Sequence, residues 1–421
     1  MSVIEDATKV RYLYKVTEFS ILYEKGTESL SPERIISLKI VNDYMNNIFP
    51  IFSIQLALET QLYYKILKNK DSVKFHIRLQ KYYKGLTGGE TSSLYRDCIN
   101  DTFQLILDDN DSDLEESLRK IQNNTDYINI EKKTTNDLNE ITNICEFYLY
   151  KSSIIKSCSK TVNTVLQDAF VVDAITYILS QGEIKNTIIS PVENMKKYNT
   201  ILIPPLKINK ALSFIDSYYG LYNNGSVIFF GLDRNYIIAY NGKCTAYQSN
   251  EIRNTSIIIP KKTDTSSQEL CVLLPKEKKD INYIIASSMN ISTRDDSVSG
   301  DILQGNNITI VNSDEGSIRS YKNTSDYQHN TKIIVNKTEN EFVGNIYKAQ
   351  TESNTGVIQL SLGSYDIDML SPNKKISILF EDSSLSSKYK GNYMIGSITH
   401  NLSKDGSEMV ATADITLRKI K

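Results

Sequence analysis

Histidine and cysteine are the residues of this chain most able to ligate a metal or to act as a base or nucleophile. There are only three histidines, and none lies about three to five residues from a second histidine or a cysteine, the spacing of zinc sites. His76 falls on the polar face of a predicted strand, and His400 ends another. We interpret both as solvated or edge histidines and predict no metal site.

Nucleophilic and phosphate-binding motifs are also missing from the sequence. The Gly-x-Ser-x-Gly motif of serine hydrolases does not occur, and the segment 88–91, Gly-Gly-Glu-Thr, lacks the Gly-Lys-Ser/Thr ending of a phosphate loop. Cys271 lies in an apolar run typical of a buried cysteine, and no Cys-x-x-Cys pair is present. The sequence therefore predicts no catalytic residues, no cofactor and no enzymatic activity.

The charge balance excludes a general nucleic-acid binder. Lys and Arg number 48 against 50 Asp and Glu, a net charge of −2 over 421 residues, so the chain as a whole has no positive field to hold phosphates. No apolar stretch reaches the roughly 18 residues of a membrane-spanning helix. The first residues do not have the basic start and apolar run of a secretion signal. We expect a protein made in the cytoplasm and without a membrane anchor.

The elements that would position any site begin with strands. Residues 51–58 and 73–79 alternate apolar and polar side chains, which is the period of a half-buried strand. The predicted inward residues are Phe52, Ile54, Leu56 and Leu58 in the first, and Val73, Phe75, Ile77 and Leu79 in the second. We interpret residues 1–107 as an N-terminal β domain.

The middle of the chain is predicted to be a connector followed by a helix. Residues 108–116 are strongly acidic, and they are interpreted as a solvated connector because the sixth position of a possible calcium loop is Asp113 rather than Gly. A helix is predicted from Ser157 or Ser159 to Gly182. Its apolar face would carry Val162, Val165, Leu166, Ala169 and Val172. Residues 108–200 form this acidic connector and helical region.

A second β region is predicted over residues 201–421. A short helix at 210–216 leads into three strands between 218 and 240, which are apolar on both faces and separated by reversals at 224–225 and 233–235. We expect one face to be covered by the chain's own core and the other by another element or subunit. Residues 241–330 are largely polar and are interpreted as an insertion of lower order.

The carboxy-terminal residues alternate as strands and turns, as in a small antiparallel barrel. The predicted inward residues are Ile376, Ile378, Phe380, Tyr393, Ile395, Met409, Ala411, Ala413, Ile415 and Leu417. The sequence thus predicts an α+β, mainly β fold in which two antiparallel β-barrel domains flank a helical middle region, with the polar insertion in the second barrel.

Two segments resemble the baseplate hub proteins of contractile-tailed bacteriophages, the T-even-type hub with tube-like barrels. One is the helix, hairpin and strands at 211–240, and the other is the ending with its turn at 368–376, its Tyr-Lys-Gly-Asn-Tyr strand entry at 389–393 and its long last strand. The motif residues that carry the resemblance are Tyr219, Gly220, Tyr222, Asn224, Gly225, Phe229, Phe230, Asp233, Gly391, Tyr393, Ile415 and Leu417.

The resemblance implies a structural subunit of a phage tail baseplate, assembled in the virion. Two tube-like barrels in each of three identical subunits would build a pseudo-sixfold ring that joins a sixfold tail tube to a threefold central spike. The implied partners are further copies of the chain, tail tube or tube-initiator proteins, the spike and baseplate wedge proteins, and DNA would only pass through the lumen.

Two other interpretations stay open. The chain is alternatively another baseplate or tail-tip component, such as a wedge or host-adhesion subunit, which would share a composition rich in strands, Asn and Tyr. A cell-wall-degrading tail enzyme is the third interpretation, and the missing nucleophile and metal motifs count against it.

Overall fold

The fold is given by a computed structural model, which describes residues 8–86, 95–106, 128–131, 142–222, 226–239, 255–260, 271–274, 282–292, 307–312, 317–321, 331–336 and 357–420. Strands dominate these ranges, so the predicted mainly β class is confirmed. Among the helices of this part of the chain, none is long and apolar enough to cross a membrane.

The strands are β1 (Thr8–Tyr23), β2 (Gly26–Ser29), β3 (Ile35–Asp43), β4 (Ile51–Glu59), β5 (Lys74–Gly85), β6 (Arg96–Leu105), β7 (Ile128–Glu131), β8 (Thr142–Lys151), β9 (Thr161–Phe170), β10 (Thr187–Ile189), β11 (Lys197–Lys207), β12 (Ser226–Phe230), β13 (Asn235–Ala239), β14 (Thr255–Ile259), β15 (Val272–Leu274), β16 (Asn282–Ser292), β17 (Asn307–Asn312), β18 (Ser317–Tyr321), β19 (Thr331–Asn336), β20 (Val357–Gly363), β21 (Ile376–Phe380), β22 (Gly391–Asp405) and β23 (Glu408–Ile420). The α-helices are α1 (Thr60–Lys68), α2 (Ser152–Cys158), α3 (Val171–Gln181), α4 (Ile208–Tyr219) and α5 (Ser383–Tyr389), and two 3-10 turns lie at Pro32–Arg34 and Ile367–Met369.

Most of the described strands belong to one sheet, whose order is β14-β21-β22-β23-β20-β16-β15-β1-β5-β6-β8-β4-β3. Three further pairings bring this sheet back on itself. β14 pairs with β16, β3 pairs with β22, and β1 pairs with β23. The pairings therefore form three closed circuits: one of six strands (β14, β21, β22, β23, β20, β16), one of eight (β22, β3, β4, β8, β6, β5, β1, β23), and between them a small one of five (β1, β15, β16, β20, β23). The six-strand and eight-strand circuits are called the two large circuits here. The hairpin β22–β23 belongs to both large circuits.

The predicted alternation of buried and exposed side chains is confirmed in strands near both ends of the chain. Phe52, Ile54, Leu56 and Leu58 of β4 are all fully buried, as are Phe75, Ile77 and Leu79 of β5. In β23 the inward set from Met409 to Leu417 is buried to the same degree, and Gly406 with a φ of 68° forms the turn between β22 and β23. Side chains at period two from both large circuits thus build one continuous hydrophobic core.

A second core lies beneath the helices. α3 and α4 pack together and against the two-stranded sheet of β9 and β11, burying residues such as Ile175, Ile178, Ile201 and Ile215. The hairpin β12–β13 lies between the two cores. Val227 and Phe229 face the first core, whereas Phe230 and Ile237 face the second. The prediction that these strands are apolar on both faces is confirmed, and within the described residues both faces are covered by the same chain.

The predicted long helix at 157–182 is wrong over its first part. Residues 161–170 form β9, which pairs antiparallel with β11, and the predicted span holds only the end of α2, at residues 157–158, and α3 at residues 171–181 as helix. β9 begins Thr-Val-Asn-Thr-Val, and such β-branched residues favour a strand because their side chains are restricted at χ1. The apolar spacing fitted a helix as well, so pairing with β11 decided the outcome. The helix does end before Gly182, as predicted.

Two further predictions need correction. Residues 218–222 are not a strand, because α4 continues to Tyr219, so two strands rather than three lie in this segment; the turn residues Asn224 and Gly225 lie outside the described residues. The reversal after β12 is confirmed, with Gly231 N–H donating to the carbonyl of Arg234 at 3.0 Å.

The segment 241–330 was predicted to be a lower-order insertion, yet its strands β14, β15 and β16 are integral to the main sheet. The acidic run 108–116 and the segment 88–91 lie outside the described residues.

The alternation of β23 makes a prediction about stability. Ile415 is 1% exposed in the core, so Ile415→Asp should cost several kcal/mol of unfolding free energy, because a carboxylate without a partner is expensive to bury. Thr412 lies on the same strand with its side chain exposed, and Thr412→Asp should change stability by less than about 1 kcal/mol. Urea unfolding of both variants measures the difference. Equal losses would show that both faces of β23 are covered.

Candidate functional site

The loop between β20 and β21 connects distant parts of the chain. It begins at Ser364, whose φ is 54° and whose N–H donates to the carbonyl of Ala411 on β23 at 2.8 Å. The hydroxyl of Tyr14, on β1, donates to the carbonyl of Tyr365 and accepts from the N–H of Ile367, both at 2.9 Å. A single buried tyrosine of the first strand therefore holds the backbone of a loop about 350 residues later in the sequence.

His400 completes this buried network. It lies within β22, is 3% exposed, and its Nδ1 hydrogen-bonds the hydroxyl of Tyr365. Burial lowers the pKa of His400 to about 4, although the charge of Asp368 acts in the opposite direction. The prediction that His400 is solvated or at an edge is therefore wrong. By contrast, His76 keeps to the polar side of β5, 3.7 Å from Glu18, and His329 lies outside the described residues.

Next to Tyr14, a cluster of charged side chains connects β5 to the same loop. Lys81 lies directly opposite Tyr14 in the β1–β5 pairing. Its ammonium group contacts the carboxylate of Asp366 at 2.7 Å and also that of Asp368. The side chains of Lys81 and Asp366 are only 12% and 14% exposed. Burial lowers the pKa of Lys81, but the two carboxylates outweigh that effect and leave it raised; burial raises the pKa of Asp366 more than Lys81 lowers it.

A second lysine, Lys374, holds the carboxy-terminal end of this loop. The ammonium group of Lys374 donates to the carbonyls of Met369 at 3.1 Å and Asp368 at 3.4 Å, which fixes the turn 368–374. Burial lowers the pKa of Lys374 to about 8, and the neighbouring acids Asp366 and Asp368 only partly offset it. We call Tyr14, Lys81, Tyr365, Asp366, Asp368, Lys374 and His400 the junction.

The junction borders a cleft of about 650 Å³. The cleft also receives Phe229, Asp233 and Arg234 from the hairpin β12–β13 and its turn, so the two segments that carried the sequence resemblance meet there. Charges of both signs line it, including Arg96, Arg234 and Lys374 against Asp233, Asp366 and Asp368. Asp366, the largely buried carboxylate among them, and the more exposed Asp368 are both engaged by Lys81.

The motif residues predicted near the hairpin act in packing. Tyr219 ends α4 and its hydroxyl accepts from the N–H of Leu202, while Gly220 takes a φ of 76° that favours glycine. The buried hydroxyl of Tyr222 donates to the carbonyls of Ser190 and Ile237 at 2.9 and 3.1 Å. Phe229 packs edge-on against Tyr44 at 4.6 Å between ring centres.

The other motif residues divide between the two cores and the surface. Phe230 stacks on Phe49, and Asp233 is 73% exposed in its turn. Gly391 begins β22, and Tyr393 is buried two residues later with its hydroxyl bonded to the carbonyl of Tyr389. Ile415 and Leu417 are core residues of β23. The structure therefore brings only Phe229 and Asp233 of the predicted set to the cleft.

Sequence reasoning missed most of the junction. Lys81 and Asp366 are 285 residues apart, and no local pattern links a lysine on the polar side of one strand to an acid in a distant loop. The one available signal was the turn at 368–376, which was noticed for its resemblance and contains both Asp368 and Lys374.

The fold of this chain is similar to that of a solved tail protein. It matches the tail protein from Neisseria meningitidis MC58 over 96% of this chain and 96% of that one, with a TM-score of 0.52 and 10% sequence identity. The 43 kDa tail protein of prophage MuSo2 from Shewanella oneidensis matches over 94% and 97%, with a TM-score of 0.49 and 8% identity. The first of these shows that the fold is that of a tail protein.

Comparison of the sequence with models of protein families identifies the family of this chain. The family model of the Bacteriophage PBS1 gene 109 protein matches residues 4–420, and the chain belongs to that family. No curated protein sequence gives a significant match. The predicted resemblance to a baseplate hub-type tail protein is confirmed, as is the prediction of a structural protein that is not an enzyme.

Loss of an ion pair in the junction should lower the stability of the protein more than loss of an exposed ion pair elsewhere. Asp366→Ala should lower the unfolding free energy by about 2–4 kcal/mol, because it removes one of two carboxylates from a largely buried lysine. Asp405→Ala removes the partner of Arg11 in an exposed pair of 2.7 Å, and should cost less than about 1 kcal/mol. Thermal or urea unfolding of the two variants tests this order, and similar small losses would contradict a structural role for the cluster.

His400 predicts a specific pH dependence. Its pKa is about 4 in the folded protein against 6.5 for an ordinary histidine, so the unfolded chain binds the extra proton first. The stability that His400 contributes is complete above pH 6.5, and about 3 kcal/mol of it is lost as the pH falls to 4. His400→Asn should remove this part of the loss. Unfolding curves of both proteins between pH 4 and 7 check it, and parallel profiles would contradict it.

Proposed function

We propose that this protein is the baseplate hub subunit of a contractile phage tail, in which three copies form a ring between the sixfold tail tube and the threefold central spike. The observation that carries the proposal is the pair of large circuits that share the hairpin β22–β23. We interpret each large circuit as a tube-like barrel, one of six strands and one of eight.

Two barrels in each subunit offer a direct solution to a symmetry mismatch. Three copies supply six barrels, which can face six tube subunits, while the same three copies keep the threefold symmetry that a trimeric spike requires. The shared hairpin fixes the position of one barrel relative to the other, since both are built on the same two strands. A rigid spacing of this kind is what a ring of alternating barrels needs.

The electrostatics agree with a structural role around DNA. A net charge of −2 gives no general affinity for phosphates, so DNA would pass through the ring without being held. The proposed partners are further copies of the chain, tail tube or tube-initiator proteins, the spike and baseplate wedge proteins. The proposed location is the tail baseplate of the virion.

A wedge or host-adhesion subunit is the alternative within the same class of particle. It would not need a closed trimer, and it would not need two barrels at a fixed spacing. The shared hairpin favours the hub, because it makes one rigid body of the two large circuits.

Oligomeric mass tests the proposal directly. The purified protein should reach three times the monomer mass in light scattering coupled to size exclusion, at micromolar concentration or after addition of the spike protein. Tube protein added to this species should bind at one end only, because the ring presents different faces to tube and spike. A protein that stays monomeric in the presence of both partners would favour the wedge or adhesion function.

A further inference from the structure

The two-stranded sheet of β9 and β11, called the ribbon here, differs from the rest of the fold at its edges. Among the described residues, every strand of nine or more residues in the main sheet has at least two strand neighbours. β9 and β11, with 10 and 11 residues, pair only with each other in this part of the chain. Long open edges are unusual in native proteins, which normally cover or interrupt them.

Within the described residues, one face of the ribbon is also open. The inner face packs on α3 and α4 and buries Val162, Tyr198 and Ile201. On the outer face Val165 and Leu202 lie directly opposite each other and are 52% and 50% exposed. Polar residues surround this pair on both strands, including the opposed Gln167 and Thr200. An apolar centre with a polar rim is the composition of a protein interface.

The apolar surface extends beyond this pair. Eight large hydrophobic side chains are exposed among the described residues, and five of them lie on the ribbon or next to its ends: Val165, Phe170, Val172, Met195 and Leu202. Apolar side chains concentrated beside open strand edges mark a surface that is covered in the assembled protein.

The charges on the two strands indicate what covers it. β9 carries one charged residue, Asp168, whereas β11 carries Lys197 and Lys207 and no acid. Within one copy Asp168 and Lys197 are already 3.8 Å apart across the ribbon. Pairing β11 with β11 of another copy would oppose lysines, while pairing β9 with β11 opposes unlike charges. Pro204 and Pro205 cannot donate backbone hydrogen bonds, so the open edge of β11 that can pair is residues 197–203.

We propose that the ribbon is the contact between subunits, with the β9 edge of one copy paired with the β11 edge of the next. Because the two edges differ, the contact is head-to-tail, and such contacts build closed rings or open filaments rather than twofold dimers. Three copies would join six strands, the same number as in the smaller of the two large circuits of the chain itself. This inference rests on the proposed ring and identifies the surface that closes it.

The test uses the full chain and changes only exposed side chains. Val165→Lys and Leu202→Lys place lysines at the centre of the contact, while each side chain remains in solvent in the monomer. Both should raise the dissociation constant of the trimer by about 100-fold or more, and leave the circular dichroism spectrum and melting temperature of the monomer unchanged. Tyr64→Lys is the matched control, because Tyr64 is 63% exposed on α1, and it should leave the trimer mass unchanged.

The outcomes separate this inference from the proposed function. A wild-type trimer that becomes monomeric in the two ribbon variants alone supports the inference. Ribbon variants that remain trimeric overturn the inference and leave the proposed ring standing. A wild type that stays at monomer or dimer mass even with the spike and tube proteins added contradicts both. Hydrogen exchange of the wild type is a second measurement: amides of residues 161–170 and 197–203 must exchange more slowly as protein concentration rises, and exchange independent of concentration overturns the ribbon contact even if a variant misfolds.

Discussion

The long hairpin β22–β23 is the constraint on which the rest of this structure depends. β22 pairs with β21, β3 and β23, and β23 pairs with β20, β1 and β22, so these two strands take part in two of the three pairings that close the sheet. The inward residues Ile395, Ile398, Ile415 and Leu417 are all buried in the common core. Neither large circuit can form without the end of the chain, and this makes N-terminal and C-terminal segments one folded body.

The junction secures that arrangement where the large circuits meet. Side chains from β1, β5 and β22 converge on the loop 364–374, and each supplies a different kind of bond: Tyr14 to the backbone, Lys81 to two carboxylates and His400 to a tyrosine hydroxyl. Buried polar groups cost free energy when their partners are lost. The loop is thus held to one conformation, which in turn shapes the cleft beside the hairpin β12–β13.

Local patterns predicted the elements better than their arrangement. β4 and β5 were evident because alternation with inward Phe52 or Phe75 leaves few alternatives, and the turn at Gly406 follows from its sequence. The segment 161–170 was mistaken for a helix, because its apolar residues suit both periods and the deciding partner, β11, begins 27 residues beyond its end. The strands within 241–330 were missed because the polar residues around them dominate the composition. Apart from the turn that contains Asp368 and Lys374, the junction could not be predicted, because its charges come together only when residues 81 and 366 do.

We propose that three copies of this chain present six barrels around one axis. A three-dimensional reconstruction of the assembled protein by electron cryo-microscopy would reveal this arrangement, since symmetry and barrel number are both visible at moderate resolution. We expect a closed ring with threefold symmetry, a central lumen and six barrel densities that alternate between a smaller and a larger kind. A ring of six identical barrels from six copies, a twofold dimer or an open filament would contradict it.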